Sequence, residues 1–335
     1  MSASGAHARD PRVTVVVVPR DHFSHAAEAL ESLLENTRIP YRLVYVDGAS
    51  PPALRDHLRQ RARERGFTLL RTEHYLTPNR ARNLGLAEAR SEYVVFLDND
   101  VFVAPGWLEA AVRCADETGA AVVSPLNCEM LPLHQTIHFA GGEAAVREDR
   151  CGGRVERHIV DEILLQGTPV ADVRLERTPT GCAEFHGVLV RRSIFDVIGP
   201  LDEAMLSTRE NLDFCMLVKQ AGGTIWLEPD SRITYLTLPL AWSDVPYFTL
   251  RWSDAWDRAS FDHFRRKWDL ALDAYFERQY RILGWRRRLL LEAFVLRRLP
   301  STRLRGWLAQ LVFPLERRLN AWWVRHCERR GAAPA

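Results

Sequence analysis

Two aspartates one residue apart, in Phe96-Leu97-Asp98-Asn99-Asp100, follow directly on the apolar run Tyr93 to Leu97. Carboxylates at this spacing can hold a hard divalent cation in an oxygen shell and leave positions open for phosphate oxygens. An isolated Asp-x-Asp is more often a turn or a helix cap. What surrounds the pair therefore decides its meaning.

The elements that must position it are legible from hydrophobic periodicity. Val13 to Val18 is a near-continuous apolar strand ended by Pro19, and His22 to Asn36 has helical spacing with Phe23, Ala26, Ala27, Leu30, Leu33 and Leu34 on one face. Arg42 to Val46 predicts a second strand, closed by the turn residues Asp47-Gly48-Ala49-Ser50. Pro51-Pro52 opens a helix that runs to Arg65, as proline suits the first helical turn. Phe67 to Leu70 predicts a third strand, Pro78 to Ala89 a third helix and Tyr93 to Leu97 a fourth strand. Successive βαβ units predict an α/β protein with a mostly parallel sheet. Ligands of open sheets bind beyond the carboxyl ends of the strands, so Pro19, Asp47 and Asp98 should converge on one crevice. Beyond the helix Pro105 to Thr118 and the strand Ala120 to Ser124, residues 127–180 predict loops and short strands that cover the crevice. Val188 to Arg192 reads as a strand, Glu210 to Gln220 as a helix closed by Gly222-Gly223, and Thr224 to Leu227 as a strand.

The run Asn79-Arg80-Ala81-Arg82-Asn83-Leu84-Gly85-Leu86, followed by Ser91 to Asp100, resembles a stretch of the family 2 glycosyltransferases of GT-A fold. Ordered matches continue with Val46-Asp47, Gln135 to Gly142, Gly187 to Arg192, Gly199 to Glu203, Glu210-Asn-Leu-Asp213, Ala221 to Gly223 and Glu228-Pro229, so the resemblance covers residues 12–236. It implies a Rossmann-like, mostly parallel mixed sheet flanked by helices, divided into a nucleotide-binding half (12–125) and an acceptor half (126–247). A flexible N-terminus (1–11) would precede this domain and an Arg/Trp-rich helical extension (248–335) would follow it.

The same resemblance implies transfer of a sugar from a nucleotide-diphosphate sugar to a hydroxyl acceptor, with inversion. Pro19 and Asp47 match positions lining the base pocket. Asp98 and Asp100 match the metal motif, Asp98 and Asn99 lying by the ribose and diphosphate. Arg80, Arg82 and Asn83 fall beside the donor, although the arginines suit a solvated helix face equally well. The base of the family sits second in a Glu-Asp-x-Asp motif, and here that residue is Asn211. Glu210, at the helix entrance, is favoured in its place, with Asp213 the alternative. Many GT-A enzymes place a metal-binding His where this chain has Tyr235. Glu184 and His186 fall where the family forms part of the donor-sugar and acceptor site, and His138 could lie near it, although a lone His in an apolar context is more often a satisfied core residue. The acceptor could be a glycan, a lipid-linked glycan or a small molecule.

Other classes fit less well. A nucleotidyltransferase would show a Gly-rich phosphate loop after the first strand, which Val18-Pro19-Arg20-Asp21-His22 lacks. A non-catalytic relative that binds sugar nucleotide or membrane is the reading that Asn211 and Tyr235 would motivate. The 335 residues are 47% hydrophobic with six scattered cysteines, a globular composition without metal-ligand Cys spacing. No run approaches the roughly 18 apolar residues of a membrane span, and Met1 to Arg12 lacks a leader-like apolar segment, so the expectation is cytoplasmic.

Charge is uneven. From Glu277 onward there are fourteen Arg against four Glu, although the whole chain is only +2. Residues 278–330 combine Trp, Leu and Arg at helical spacing, which suits an anionic membrane surface at the inner face of the cell membrane. A helical pair packed on the main domain, or a homodimer contact, suits the pattern as well. Nucleic acid is not expected, because no RNA or DNA motif accompanies the charge and the main domain is acidic.

Overall fold

The computed structural model describes residues 10–151, 153–237, 240–294 and 302–331. The first half alternates as its periodicity requires: β1 (Val13–Val18), α1 (Ala26–Asn36), β2 (Tyr41–Gly48), α2 (Pro52–Arg65), β3 (Thr68–Thr72), α3 (Pro78–Glu88) and β4 (Tyr93–Asp98). Next come β5 (Val101–Val103), α4 (Trp107–Thr118), β6 (Val122–Glu129), β7 (Ile137–Phe139), β8 (Gly142–Cys151), β9 (Arg154–Ile163) and β10 (Thr178–Thr180). β11 (Gly187–Arg191), α5 (Phe195–Ile198), α6 (Glu210–Gln220) and β12 (Ile225–Tyr235) follow. The described chain ends in helices α7 (Val245–Arg251), α8 (Asp254–Lys267), α9 (Ala274–Arg281), α10 (Trp285–Phe294) and α11 (Thr302–Gly331).

The main sheet runs β10-β12-β6-β11-β4-β1-β2-β3, with β5 added to β12 and β7 to β6. β3, β2, β1 and β4 are mutually parallel, while β11 lies antiparallel between β4 and β6. β1 thus has β2 on one side and β4 on the other, which makes the gap between the ends of β1 and β4 the topological switch point. Both faces of the sheet are covered. Val13, Val15 and Val17 pack with α1 and α4, and Val16 and Val18 with α3 and α6. A strand buried on two sides reads as an unbroken Val run rather than an alternation. α3 approaches β1 so closely that a Cβ on Gly85 would stand 2.1 Å from Val16 Cγ1.

The structure differs from the sequence reading in several places. β8 and β9 pair antiparallel with strands ten residues long, where short strands and loops were predicted. Their many charged residues, such as Arg147 to Arg150, hide the strand period, because few of the strand residues are fully buried. β12 continues past Leu227 to Tyr235, a register shift between Glu228 and Arg232 accommodating Pro229, which cannot donate to the ladder. α1 begins at Ala26 and not His22, because the chain first turns through the loop that follows β1. A division at residue 247 falls inside α7. Of the N-terminal segment 1–11, residues 1–9 lie outside the described residues, as do Arg297 and Arg298 of the tail.

α10 and α11 are tied to the main domain. Arg287, 1% exposed, donates to Glu316 Oε1 (2.6 Å), Asp254 Oδ1 (2.8 Å) and the carbonyl of Trp252. Asn320 Nδ2 donates to Thr249 O (2.8 Å) and Trp323 Nε1 to Pro246 O (2.9 Å). An adjoining face of α11 carries Leu311, Leu315, Leu319 and Trp322, each more than half exposed. Among the described residues, no helix is long and apolar enough to cross a membrane.

Candidate active site

β1 and β4 end side by side, Val18 opposite Asp98. Asn99 locks together the loops that leave them: its Oδ1 accepts from Arg20 N (3.1 Å) and its Nδ2 donates to His22 O (2.8 Å). Asp98 Oδ1 accepts from Arg82 Nη2 (3.2 Å), and its Oδ2 lies 3.3 Å from Arg20 Nη1 and 3.2 Å from His186 Nδ1. Asp100 Oδ2 is 3.5 Å from His22 Nε2.

Glu210 faces this group from the first turn of α6. Its Oε1 stands 3.7 Å from Arg20 Nη1, 3.8 Å from Arg82 Nη1 and 3.7 Å from Arg251 Nη2. The residue before it, Arg209, has φ of 72°, a left-handed conformation that a bulky side chain rarely adopts. The rings of Phe261 and Tyr275, 5.2 and 5.3 Å beneath its guanidinium, help to hold that turn.

Buried charged groups are normally saturated with hydrogen bonds. Here Arg251, fully buried, has no hydrogen-bond partner among the described residues on Nε, Nη1 or Nη2. Arg20 Nε, Arg82 Nε, Asp98 Oδ2, Asp100 Oδ1 and His186 Nδ1 are likewise buried without a hydrogen bond. Guanidinium nitrogens without hydrogen bonds favour anionic oxygens, and carboxylate oxygens without them favour a cation. This crevice presents both at once.

Burial acts to raise the Asp98 carboxyl, but Arg20, His186 and Arg82 outweigh it and hold Asp98 below the usual range. Asp100 is pushed up to about 7 by burial, with Asp98 and Asp21 adding to the effect and His22 opposing it. Burial takes His186 down to about 4, so its ring is neutral. No group of three or more His, Cys, Asp or Glu that could hold a metal occurs among the described residues. The donor set suits an ion such as Mg²⁺, which is commonly held by one or two carboxylates together with substrate phosphates.

Of the residues singled out by sequence, Asp98, Asn99, Asp100, Arg82, His186 and Glu210 meet in this crevice. Glu184 adjoins it, partly exposed, its Oε1 accepting from Asn211 Nδ2 (3.1 Å). Tyr235 stacks on His186 with ring centroids 3.9 Å apart, and its hydroxyl donates to Glu129 (3.2 Å) beside His138. Asp213 is turned to α8, its oxygens taken by Lys267 Nζ (2.9 Å) and Trp268 Nε1 (2.8 Å). Asp47 does lie at a strand end, but it accepts from Ser50 N (2.9 Å), Ser50 Oγ (2.9 Å) and Arg71. Pro19 packs against the same turn, 3.2 Å from where a Cβ on Gly48 would be. Arg80 is exposed on α3, and Asn83 binds the loop at Leu201 and Glu203.

Arg20, Asp21, Arg251 and Arg286 were not singled out. The first two follow β1 at the switch point, a signal that could have found them. Arg251 and Arg286 stack on Trp252 at 4.4 and 4.0 Å, and nothing in the helical text around them reveals that they turn inward.

Comparison with known proteins gives the family and the fold. The model of glycosyl transferase family 2 matches residues 14–198, more than half of the chain. The chain is 25% identical over 241 residues to the pre-mycofactocin glycosyltransferase of Mycobacterium tuberculosis, covering 70% of this chain and 46% of that protein. It is 28% identical over 240 residues to polypeptide N-acetylgalactosaminyltransferase 12 of Mus musculus, covering 68% and 40%. The chain thus spans less than half the length of these relatives. A crystal structure of GalNAc-T7 with UDP, GalNAc and Mn²⁺ superposes with a TM-score of 0.51 at 15% identity, covering 86% of this chain and 58% of that one. The fold is GT-A. The chain belongs to glycosyl transferase family 2.

Proposed function

We propose that this chain transfers a sugar from a nucleoside diphosphate sugar to a hydroxyl acceptor, with inversion at the anomeric carbon and with the help of a divalent cation. The observation that carries the reading is the buried meeting, at the switch point, of guanidinium nitrogens and carboxylate oxygens that lack hydrogen bonds among the described residues. A nucleotide diphosphate and its cation would satisfy both sets together.

In this reading Asp98 and Asp100 hold Mn²⁺ or Mg²⁺. When bound, the ion offsets the charge that develops on the departing diphosphate. Arg20, Arg82 and Arg251 take the diphosphate oxygens, where a dry, preorganised site makes charge-assisted hydrogen bonds strong. Glu210 keeps these arginines in register. The loop of Pro19, Asp47 and Ser50 faces the nucleoside, and Glu184, His186 and His138 face the sugar and the acceptor, which is a glycan, a lipid-linked glycan or a small molecule. The exposed Leu/Trp face of α11, flanked by Arg318 and Arg325, lies on an anionic membrane surface.

The test is release of nucleoside diphosphate coupled to mass gain on octyl glycosides, read across UDP-, GDP- and dTDP-sugars with Mn²⁺. A folded Asp100→Ala chain should transfer nothing measurable. Wild-type turnover by that variant would remove the metal assignment.

A further inference from the structure

The inverting displacement needs a base to take the acceptor proton, and the carboxylates around the crevice are not equally free to do so. Asp213 is held by Lys267 and Trp268. Glu210 is ringed at 3.7–3.8 Å by three guanidinium groups and is 4% exposed. Asp98 and Asp100 belong to the cation and arginine cluster, and Asp21 lies 3.8 Å from Arg251 and 3.9 Å from Arg20. His138 Nδ1 is shared between Glu129 (3.1 Å) and the Tyr235 hydroxyl (3.2 Å).

Glu184 differs from all of these. It sits at the mouth of the crevice, immediately before β11, on the same segment as His186. The Asn211 amide fixes one of its oxygens at 3.1 Å, and the other has no hydrogen-bond partner among the described residues and is not sealed from solvent. A neutral amide orients a carboxylate without neutralising it, which a guanidinium would do.

We propose that Glu184 is the general base of this chain and that Asn211 is the residue that positions it. This rests on the inverting glycosyl transfer proposed above. The free Glu184 oxygen takes the proton of the acceptor hydroxyl as that oxygen forms its bond to the anomeric carbon. The bond from that carbon to the diphosphate oxygen breaks, and its electron pair leaves with the nucleoside diphosphate. The proton then passes from Glu184 to water. The surroundings favour this task. Burial raises the carboxyl above its ordinary value, Glu210 of α6 and Asp161 of β9 add to the rise, and His138 of β7 and Arg20 after β1 oppose it. A base raised in this way takes a proton more readily near neutral pH.

The experiment compares wild type, Glu184→Gln, Glu184→Ala and Asn211→Leu in the full chain. Sugar transfer from UDP-, GDP- and dTDP-sugars to octyl glycosides is measured with Mn²⁺, alongside calorimetric binding of UDP with Mn²⁺. Glu184→Gln should lose about 10²–10⁴-fold in kcat with UDP affinity unchanged, and added formate should restore part of the Glu184→Ala rate. Asn211→Leu should lower kcat and shift the acidic limb of its pH profile, leaving KM for the donor nearly unaltered. Wild-type kcat in Glu184→Gln, or failure of formate to rescue a Glu184→Ala chain that still binds UDP, would overturn the assignment. So would a product with retained anomeric configuration, which leaves glycosyl transfer itself standing. A wild-type chain that neither binds nor turns over any of these donors would remove the functional reading and this assignment with it.

Discussion

Arg251, the last residue of α7, points its Nη2 at Glu210 Oε1, at the first residue of α6, across 3.7 Å. The contact makes the C-terminal helices part of the crevice rather than an appendage. α7 is in turn pinned from outside by Asn320 on the Thr249 carbonyl, while Arg287 binds the Trp252 carbonyl just beyond its end.

A buried guanidinium with no hydrogen bonds of its own contributes little to the stability of the free chain and can oppose it. Arg251→Met should therefore leave the melting temperature of the ligand-free protein unchanged or higher, and weaken binding of UDP with Mn²⁺ by about 10–100-fold, in line with the ~1.5–3 kcal/mol of a hydrogen bond to a charged group. Thermal unfolding with and without nucleotide reads both. Loss of free-state stability with full nucleotide affinity would mark Arg251 as structural.

The glycine of the Arg82-Asn-Leu-Gly85 run is required by packing. Gly85→Ala places a methyl group 2.1 Å from Val16 Cγ1 in a core closed on both faces. Overpacking of this kind costs about 1–3 kcal/mol, so the urea midpoint should fall by the corresponding amount. An unchanged midpoint would show that α3 can lift off β1 freely.

Asp202 is held down to about 2: burial opposes the shift, but Lys267, His263 and the Ala204 amide outweigh it. A carboxyl whose folded value is depressed adds stability above its unfolded value of about 3.9 and loses it as the pH falls through the folded one. Asp202→Asn should thus unfold more easily than wild type at neutral pH, and the gap should close between about pH 4 and pH 2. A gap independent of pH in urea titrations would contradict this.

The face formed by Leu311, Leu315, Leu319 and Trp322 can be tested without touching the crevice. Wild type should sediment with phosphatidylglycerol vesicles, more weakly at high salt, and not with phosphatidylcholine. The double variant Leu315→Glu, Leu319→Glu should remain in solution. Recovery of wild type as a dimer indifferent to vesicles, and of the variant as a monomer, would assign the face to a second copy of the chain instead.

Much of the framework was legible because its signals are local. The Val13 to Val18 run, the Pro51-Pro52 helix start and the acidic bend after Leu97 each follow from a few neighbouring residues, and together they place the crevice. The long β8–β9 pairing was not legible, since its strands carry charge on both faces. Arg251 and Arg286 were hidden for a related reason. In an Arg-rich helical segment each arginine looks like its neighbours, and only tertiary packing sets Arg251 and Arg286, stacked on Trp252, and the buried Arg287 apart from the rest. The environments of Glu210 and Asp213 likewise depend on α7 and α8, far along the chain, so their spacing alone did not distinguish them.

The most direct measurement is the thermal stability of the full chain against UDP-, GDP- and dTDP-sugars, each with Mn²⁺, Mg²⁺ or EDTA. A ligand at roughly a hundred times its Kd stabilises the native state by about 2.7 kcal/mol. The account predicts that one class of donor raises the melting temperature, that EDTA abolishes the rise, and that Arg251→Met blunts it. Stabilisation by none of these donors under any metal condition, or a rise that persists equally in EDTA and in Arg251→Met, would contradict a donor site built on Asp98, Asp100 and the buried arginines.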